Sequence, residues 1–200
     1  ILLRATLNND ELFEGRENLK IVSGEIEGDI FNEDDDAIYG TISIFDDGSC
    51  SNIFLDNNTS DEPTQDEADD DRPLFSISSV DVSESSAYAI VVASLSNPST
   101  EAISFHPYLE GDSATLDDDF TSTLQYFDTE AGEAGEWIDV DPVLGVTLQP
   151  GQLSILLRAT LNNDELFEGR EELRIVSGEI EGDIFNEDDD VIYGTIAIFD

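Results

Sequence analysis

Residues 1–46 and residues 155–200 are the same text except at four pairs of positions, Asn18/Glu172, Lys20/Arg174, Ala37/Val191 and Ser43/Ala197. Residue n therefore matches residue n + 154, and the identity runs through apolar and charged positions alike, further than a shared fold requires. This is the signature of a tandem array with a recent internal duplication. It divides the chain into 1–47, the C-terminal strands of one repeat; 48–73, an acidic linker; and 74–200, the next repeat, nearly complete. The chain opens on ILLRATL with neither Met nor a signal peptide, as a window cut from a longer protein would. Residues 1–46 supply only the last three or so strands of a unit, and open sheet edges of that length need partners. Those partners are upstream strands of the same chain or strands donated by another copy in a polymer.

The linker, GSCSNIFLDNNTSDEPTQDEADDDRP, is rich in Asp, Ser, Asn and Pro and lacks apolar periodicity, which reads as a solvated, self-repelling spacer. From residue 74 onward, short apolar alternations are separated by turn residues: LFSISSVDV, AYAIVVASL, EAISFHPYL, TSTLQYF, GVTLQP, LSILLRATL, ELRIVSGEI and VIYGTIAIF. Period-two runs rich in β-branched and aromatic residues predict strands, and no segment sustains a helical period. The expected fold is all-β, an antiparallel immunoglobulin-like sandwich of about seven to eight strands per repeat, in a tandem array.

Charge bounds the partners. With 48 Asp and Glu against 7 Lys and Arg, the formal net charge is -41 on 200 residues. Such a chain repels itself, nucleic acid and anionic membranes, so its folding is expected to depend on cations: metal ions, high salt or cationic surfaces. The 39% apolar content still suffices for a core. No apolar run reaches the length of a membrane span. Cys50 is the one cysteine, so no intrachain disulfide forms; it reads as a free loop thiol.

NNDELFEGREEL, residues 162–173, and its earlier copy NNDELFEGRENL at 8–19 set several acids side by side. As a helix the segment would be short, interrupted by Gly169, and burdened by like charges at Asp164, Glu168 and Glu171. It reads instead as a loop between ILLRATL and LRIVSG, delivering its acids to one end of the sandwich. Two carboxylates about 4 Å apart repel by roughly 4 kcal/mol at an effective dielectric near 20, so such a cluster calls for a cation or a proton. Calcium, which takes six to eight oxygens in flexible geometry, suits this donor set. Zinc or copper would want His or Cys, and His106 and Cys50 are alone of their kinds, His106 reading as a packed strand residue. Neither the EF-hand loop nor the glycine-rich nonapeptide occurs, so any site must be assembled from several loops.

The ordered set VDVSE (80–84), SATLDDDFTS (113–122), GVTLQPGQLSILLRATLNNDELFEGREEL (145–173) and GTIAIFD (194–200) resembles the Calx-beta domain. The likeness is to the type tandemly repeated in giant secreted bacterial surface proteins, with a Trp-bearing hairpin, EWIDV (136–140), before the GVTLQPGQ strand. It covers 74–200 almost completely and 1–47 as the end of the preceding copy. The resemblance implies calcium gathered at one end of a seven-stranded sandwich by Glu84, Asp119, Asn163, Asp164, Glu168, Glu171 and Asp200. In the preceding copy the matching positions are Asn9, Asp10, Glu14, Glu17, Asp46 and Asp47. Asn163 stands where many members carry Asp, one charge fewer; Asp117 and Asp118 can replace or supplement Asp119. FNEDDD (31–36 and 185–190) is either a further cation site or a solvated loop.

The function expected from these features is that of a calcium-stabilised structural repeat of a long adhesin, filament or matrix protein, extracellular or at the cell surface. Its partners would be neighbouring repeats of the same chain or other copies in a polymer, with a cell-surface or glycan ligand as a further possibility. One alternative is a carbohydrate- or surface-binding module using Tyr108, Tyr126, Phe127 and Trp137, although strand aromatics are more often core. Another is a halophilic scaffold without specific metal sites. No nucleophile and base are positioned as catalysis requires, so the chain is not expected to be an enzyme.

Overall fold

A computed structural model of the chain describes residues 5, 7, 8, 10–24, 39–48, 70–164, 166–186 and 191–200. Asn9, Cys50, linker residues 49–69 and the acid runs at 31–36 and 187–190 lie outside the described residues. The described elements are all strands, and among the described residues no helix is long and apolar enough to cross a membrane. The chain divides into two compact units, one of residues 13–71 and the other of residues 1–12 together with 72–200.

The smaller unit holds β1 (Arg16–Val22) and β2 (Tyr39–Phe45), paired antiparallel from Arg16↔Phe45 to Val22↔Tyr39. The larger unit is an all-β sandwich, as expected. Its five-stranded sheet contains β3 (Phe75–Ile77), β5 (Tyr88–Leu95), β8 (Phe120–Asp128), β9 (Glu136–Asp139) and β11 (Ser154–Leu161), in the order β3-β5-β11-β8-β9. The four-stranded sheet contains β4 (Val80–Ser83), β7 (Tyr108–Gly111), β12 (Arg170–Val176) and β14 (Tyr193–Phe199), in the order β4-β14-β12-β7. A third, small sheet joins β10 (Val146–Leu148), β6 (Ile103–Phe105) and β13 (Ile180–Glu181). Among the described strands every ladder is antiparallel except that of β4 with β14, which runs parallel from Val80↔Ile196 to Ser83↔Phe199.

Alternation builds the core. In β5 the side chains of Ala89, Val91, Ala93 and Leu95 are buried while Tyr88 and Ile90 face out; in β11 Ile155, Leu157, Ala159 and Leu161 do the same opposite exposed Leu156. Phe75, Phe105, Leu148, Leu173, Ile175, Ile196 and Ile198 close the cluster from the other strands.

Several apolar runs that read as single strands are broken in two. In LFSISSVDV the break falls at the serine pair: Ser78 stays with β5, its N–H donating to the Val92 carbonyl (2.9 Å) and its Oγ accepting from the Val92 N–H (2.9 Å). Ser79 belongs to the other sheet, its Oγ accepting from the Thr195 N–H (3.0 Å). The serine hydroxyls thus stand in for ladder bonds while the chain crosses between sheets. At this crossing Gly194 is required, since a Cβ there would lie 2.2 Å from the Ser78 carbonyl oxygen. EAISFHPYL breaks likewise at His106–Pro107, where proline supplies no ladder donor. His106 is half-buried and its N–H donates to the Glu179 carbonyl (3.0 Å).

The two copies of the hairpin share one register, yet differ in burial. Leu173 is 0% and Val176 2% exposed, whereas the matching Leu19 is half-buried and Val22 57% exposed. Leu173→Ala is therefore expected to cost about 2–5 kcal/mol in urea unfolding, and Leu19→Ala well under half of that.

Candidate metal centre

The acidic loop is delivered by a defect at the end of β11. A register shift between Ala159 and Leu161 against β8 disrupts the ladder, and the next residue, Asn162, docks on the DDDF turn. Its N–H donates to the Asp119 carbonyl (2.9 Å) and its side-chain amide to the Asp117 carbonyl (3.0 Å). Asp117 adopts a left-handed φ of 73°, and the turn buries Asp119 to 5% exposure. There Asp119 Oδ2 accepts from the Thr115 N–H (2.5 Å).

Carboxylates then hold the loop itself. The Asp164 N–H donates to Glu84 Oε1 (2.8 Å), and Glu84 is only 7% exposed at the end of β4. Asp164 Oδ1 accepts from the Leu166 N–H (2.6 Å), an Asx turn. Asp200 Oδ2, just past β14, accepts from the N–H groups of Glu168 and Gly169, the latter at 2.7 Å. Gly169, at φ 87°, turns the chain into β12, so Glu171 stands on a strand and not in the loop where its sequence neighbours lie.

The result is a carboxylate group at one end of the sandwich. One oxygen each from Asp119 (buried), Glu171 (half-buried) and Glu168 (exposed) lie within 4.8 Å of one another. Burial, then a hydrogen bond shared with Asp119 and the charges of Asp119, Glu168 and Asp200, pushes the Glu171 carboxyl up to about 7. Glu168 is raised by desolvation and then by repulsion from Asp119, Asp164, Asp200 and Asp118. Glu84 is raised chiefly by the hydrogen bond it shares with Asp200, and Asp200 is lowered by that same bond together with the two backbone donors. All the donors here are oxygens, a set that fits a hard divalent cation such as calcium and lacks the nitrogen or sulfur that zinc favours.

The structure thus gathers Glu84, Asp119, Asp164, Glu168, Glu171 and Asp200, while Asn163 is exposed and donates its amide weakly to the Asp164 carbonyl (3.5 Å). In the preceding copy the local bonds repeat: Asp10 Oδ1 accepts from the Leu12 N–H (3.0 Å) and Asp46 Oδ2 from the Glu14 N–H (2.7 Å). Glu17 is exposed on β1, and Asp47 bridges to Asp70. Among the described residues no second group of three acids meets as closely. The Glu84–Asp200 contact follows from the parallel pairing of β4 with β14, for which the sequence carries no signal. The clasp of Asp119 by the Thr115 N–H likewise has no signal in the sequence.

The pH dependence follows in sign. Glu171 is raised in the folded state, so its protonated form favours folding below its ordinary value of 4.5, and that contribution is lost as pH rises to about 7. Asp200, which is lowered, acts in the opposite sense, at pH below its ordinary 3.8. Urea unfolding in chelator is expected to show stability falling between pH 5 and 7.5, and Glu171→Gln is expected to flatten that fall.

No protein-family model and no curated protein matches the chain. Among solved structures it is similar to an apo-form Calx CBD1 domain, at 14% identity and a TM-score of 0.46, over 64% of this chain and 99% of that one. It is likewise similar to CBD12 from CALX1.2, at 16% identity and a TM-score of 0.46, over 64% of this chain and 44% of that one. A third likeness is to the calcium binding domain CBD12 of CALX1.1, at 15% identity and a TM-score of 0.45, over 62% of this chain and 42% of that one.

Proposed function

We propose that the chain is a calcium-stabilised structural repeat of a long extracellular adhesin, filament or matrix protein. The observation that carries this reading is the convergence of Asp119, Glu168 and Glu171 within 4.8 Å at a point where two sheets meet. Asp119 precedes β8 of the five-stranded sheet, and Glu171 belongs to β12 of the four-stranded sheet. A divalent cation held by these three, with Glu84, Asp164 and Asp200 around them, would cancel their repulsion and tie the sheets together at that end. Function then resides in length and stiffness: a module whose loops are clasped by millimolar extracellular calcium transmits load without a catalytic step.

The Trp137–Phe127 pair does not favour a glycan platform. Trp137 packs against Phe127 with ring centroids 5.2 Å apart, and the Arg158 guanidinium lies over it at 4.3 Å and over Tyr88 at 4.0 Å. Arg158 is itself fixed by donating to Gln125 Oε1 (2.7 Å), so the Trp137 face already has an occupant.

Thermal unfolding in chelator, in millimolar calcium, and in molar sodium chloride with chelator tests the proposal. Calcium at about a hundred times its Kd is expected to add about 2.7 kcal/mol, and Glu168→Gln with Glu171→Gln to abolish the gain. Equal stabilisation by sodium chloride would overturn the reading in favour of a halophilic scaffold.

A further inference from the structure

We infer that Asn162 is the positioning residue of the cation site: it latches the acidic loop to the Asp117–Asp118–Asp119 turn and so sets how tightly calcium is held. This deepens the calcium reading above and rests on it. Asn162 is the first residue past β11, just after the register shift between Ala159 and Leu161 against β8. Both of its donors go to the turn, the N–H to the Asp119 carbonyl (2.9 Å) and the side-chain amide to the Asp117 carbonyl (3.0 Å). A carbonyl only accepts, so the atom that meets Asp117 is the amide nitrogen. Two residues on, the Asp164 N–H donates to Glu84 Oε1 (2.8 Å). The start of the loop is thereby tied both to the turn before β8 and to the end of β4.

The turn has need of such a latch. Asp117, at a φ of 73°, is the one non-glycine residue with positive φ among the described residues, a conformation unfavourable to any side chain with a Cβ. The Asp117 N–H donates to the Phe120 carbonyl (2.8 Å) and the Asp119 N–H to the Thr115 carbonyl (2.9 Å), which closes the turn and leaves the Asp117 carbonyl to accept from Asn162. Asp119 comes to the site on this turn, Glu168 on the loop and Glu171 on β12. The spacing of Asp119 from Glu168 thus depends on how loop and turn are joined, and Asn162 joins them.

The choice of residue agrees with this role. An acid at 162 would set a carboxylate against the Asp117 carbonyl, acceptor to acceptor, so an amide stands here in an otherwise acidic neighbourhood. Its neighbour Asn163 makes only a long bond to the Asp164 carbonyl (3.5 Å) and ties nothing to the turn. Ligands that must be ordered as the ion binds subtract that cost from affinity, and groups that hold ligands in place without touching the ion commonly govern a metal site's affinity.

Calcium titration of the whole chain followed by amide NMR tests this. The reporter is the Thr115 N–H, which donates to Asp119 Oδ2 and lies outside the duplicated segment. Asn162→Ala is expected to raise the Kd read there about tenfold. Glycine adopts a left-handed φ freely, so in an Asp117→Gly background the same change is expected to raise the Kd only about twofold. Comparison within that background cancels the loss of the Asp117 carboxylate. Asn162→Ser, expected to act in the same direction, replaces Asn162→Ala should the latter lose its β-sheet circular dichroism. A Kd moved by less than about twofold, or a loss of equal size in both backgrounds, would overturn the latch. An unsubstituted chain whose Thr115 resonance ignores calcium would instead overturn the calcium reading itself, and the latch with it.

Discussion

Like-charge repulsion among Asp119, Glu168 and Glu171 is the constraint to which this end of the sandwich answers. Three carboxylate oxygens within 4.8 Å cannot all be charged at low cost when one is buried. The surrounding backbone is arranged to hold them there: Thr115 clasps Asp119, Glu84 accepts from the start of the acidic loop, and Asp200 from its end. Those clasps depend in turn on β4 and β14 ending where β8 and β12 begin. Electrostatic cost at the tip and apolar burial beneath it are thus met by the same strands, and the core must outweigh what the acids oppose until protons or cations neutralise them.

Much of this was legible in the residues. Period-two alternation marked the strands because one face of each meets the core, as in β5 and β11. The acidic segment was legible as a loop because Gly169 and its like charges oppose a helix. The places where runs divide were not, since Ser78–Ser79 continues the alternation without interruption and changes sheets through hydroxyl bonds that only the assembled ladders define. Glu171 was grouped with the loop, although β12 begins one residue before it. Asn163, aligned with ligands by its place in the motif, points its amide at the backbone of Asp164.

The outward face of the five-stranded sheet shows why aromatic residues alone are poor guides to binding. Tyr88 and Trp137 lie on strands flanking the β11–β8 pair, and both are met by the single guanidinium of Arg158. In a chain with 7 basic residues against 48 acidic ones, a cation spent on two rings and a glutamine serves packing, not recruitment.

The parallel ladder of β4 with β14 has a mechanical meaning. β4 lies near the start of the sandwich and β14 at its end, so tension applied through the flanking chain draws the two strands past each other along their length. Hydrogen bonds loaded in that direction share the force and must yield together, whereas an antiparallel pair pulled from one end opens a bond at a time. The clasp of Glu84 and Asp200 sits at the tip of this ladder, as a rivet would at the end of a lap joint.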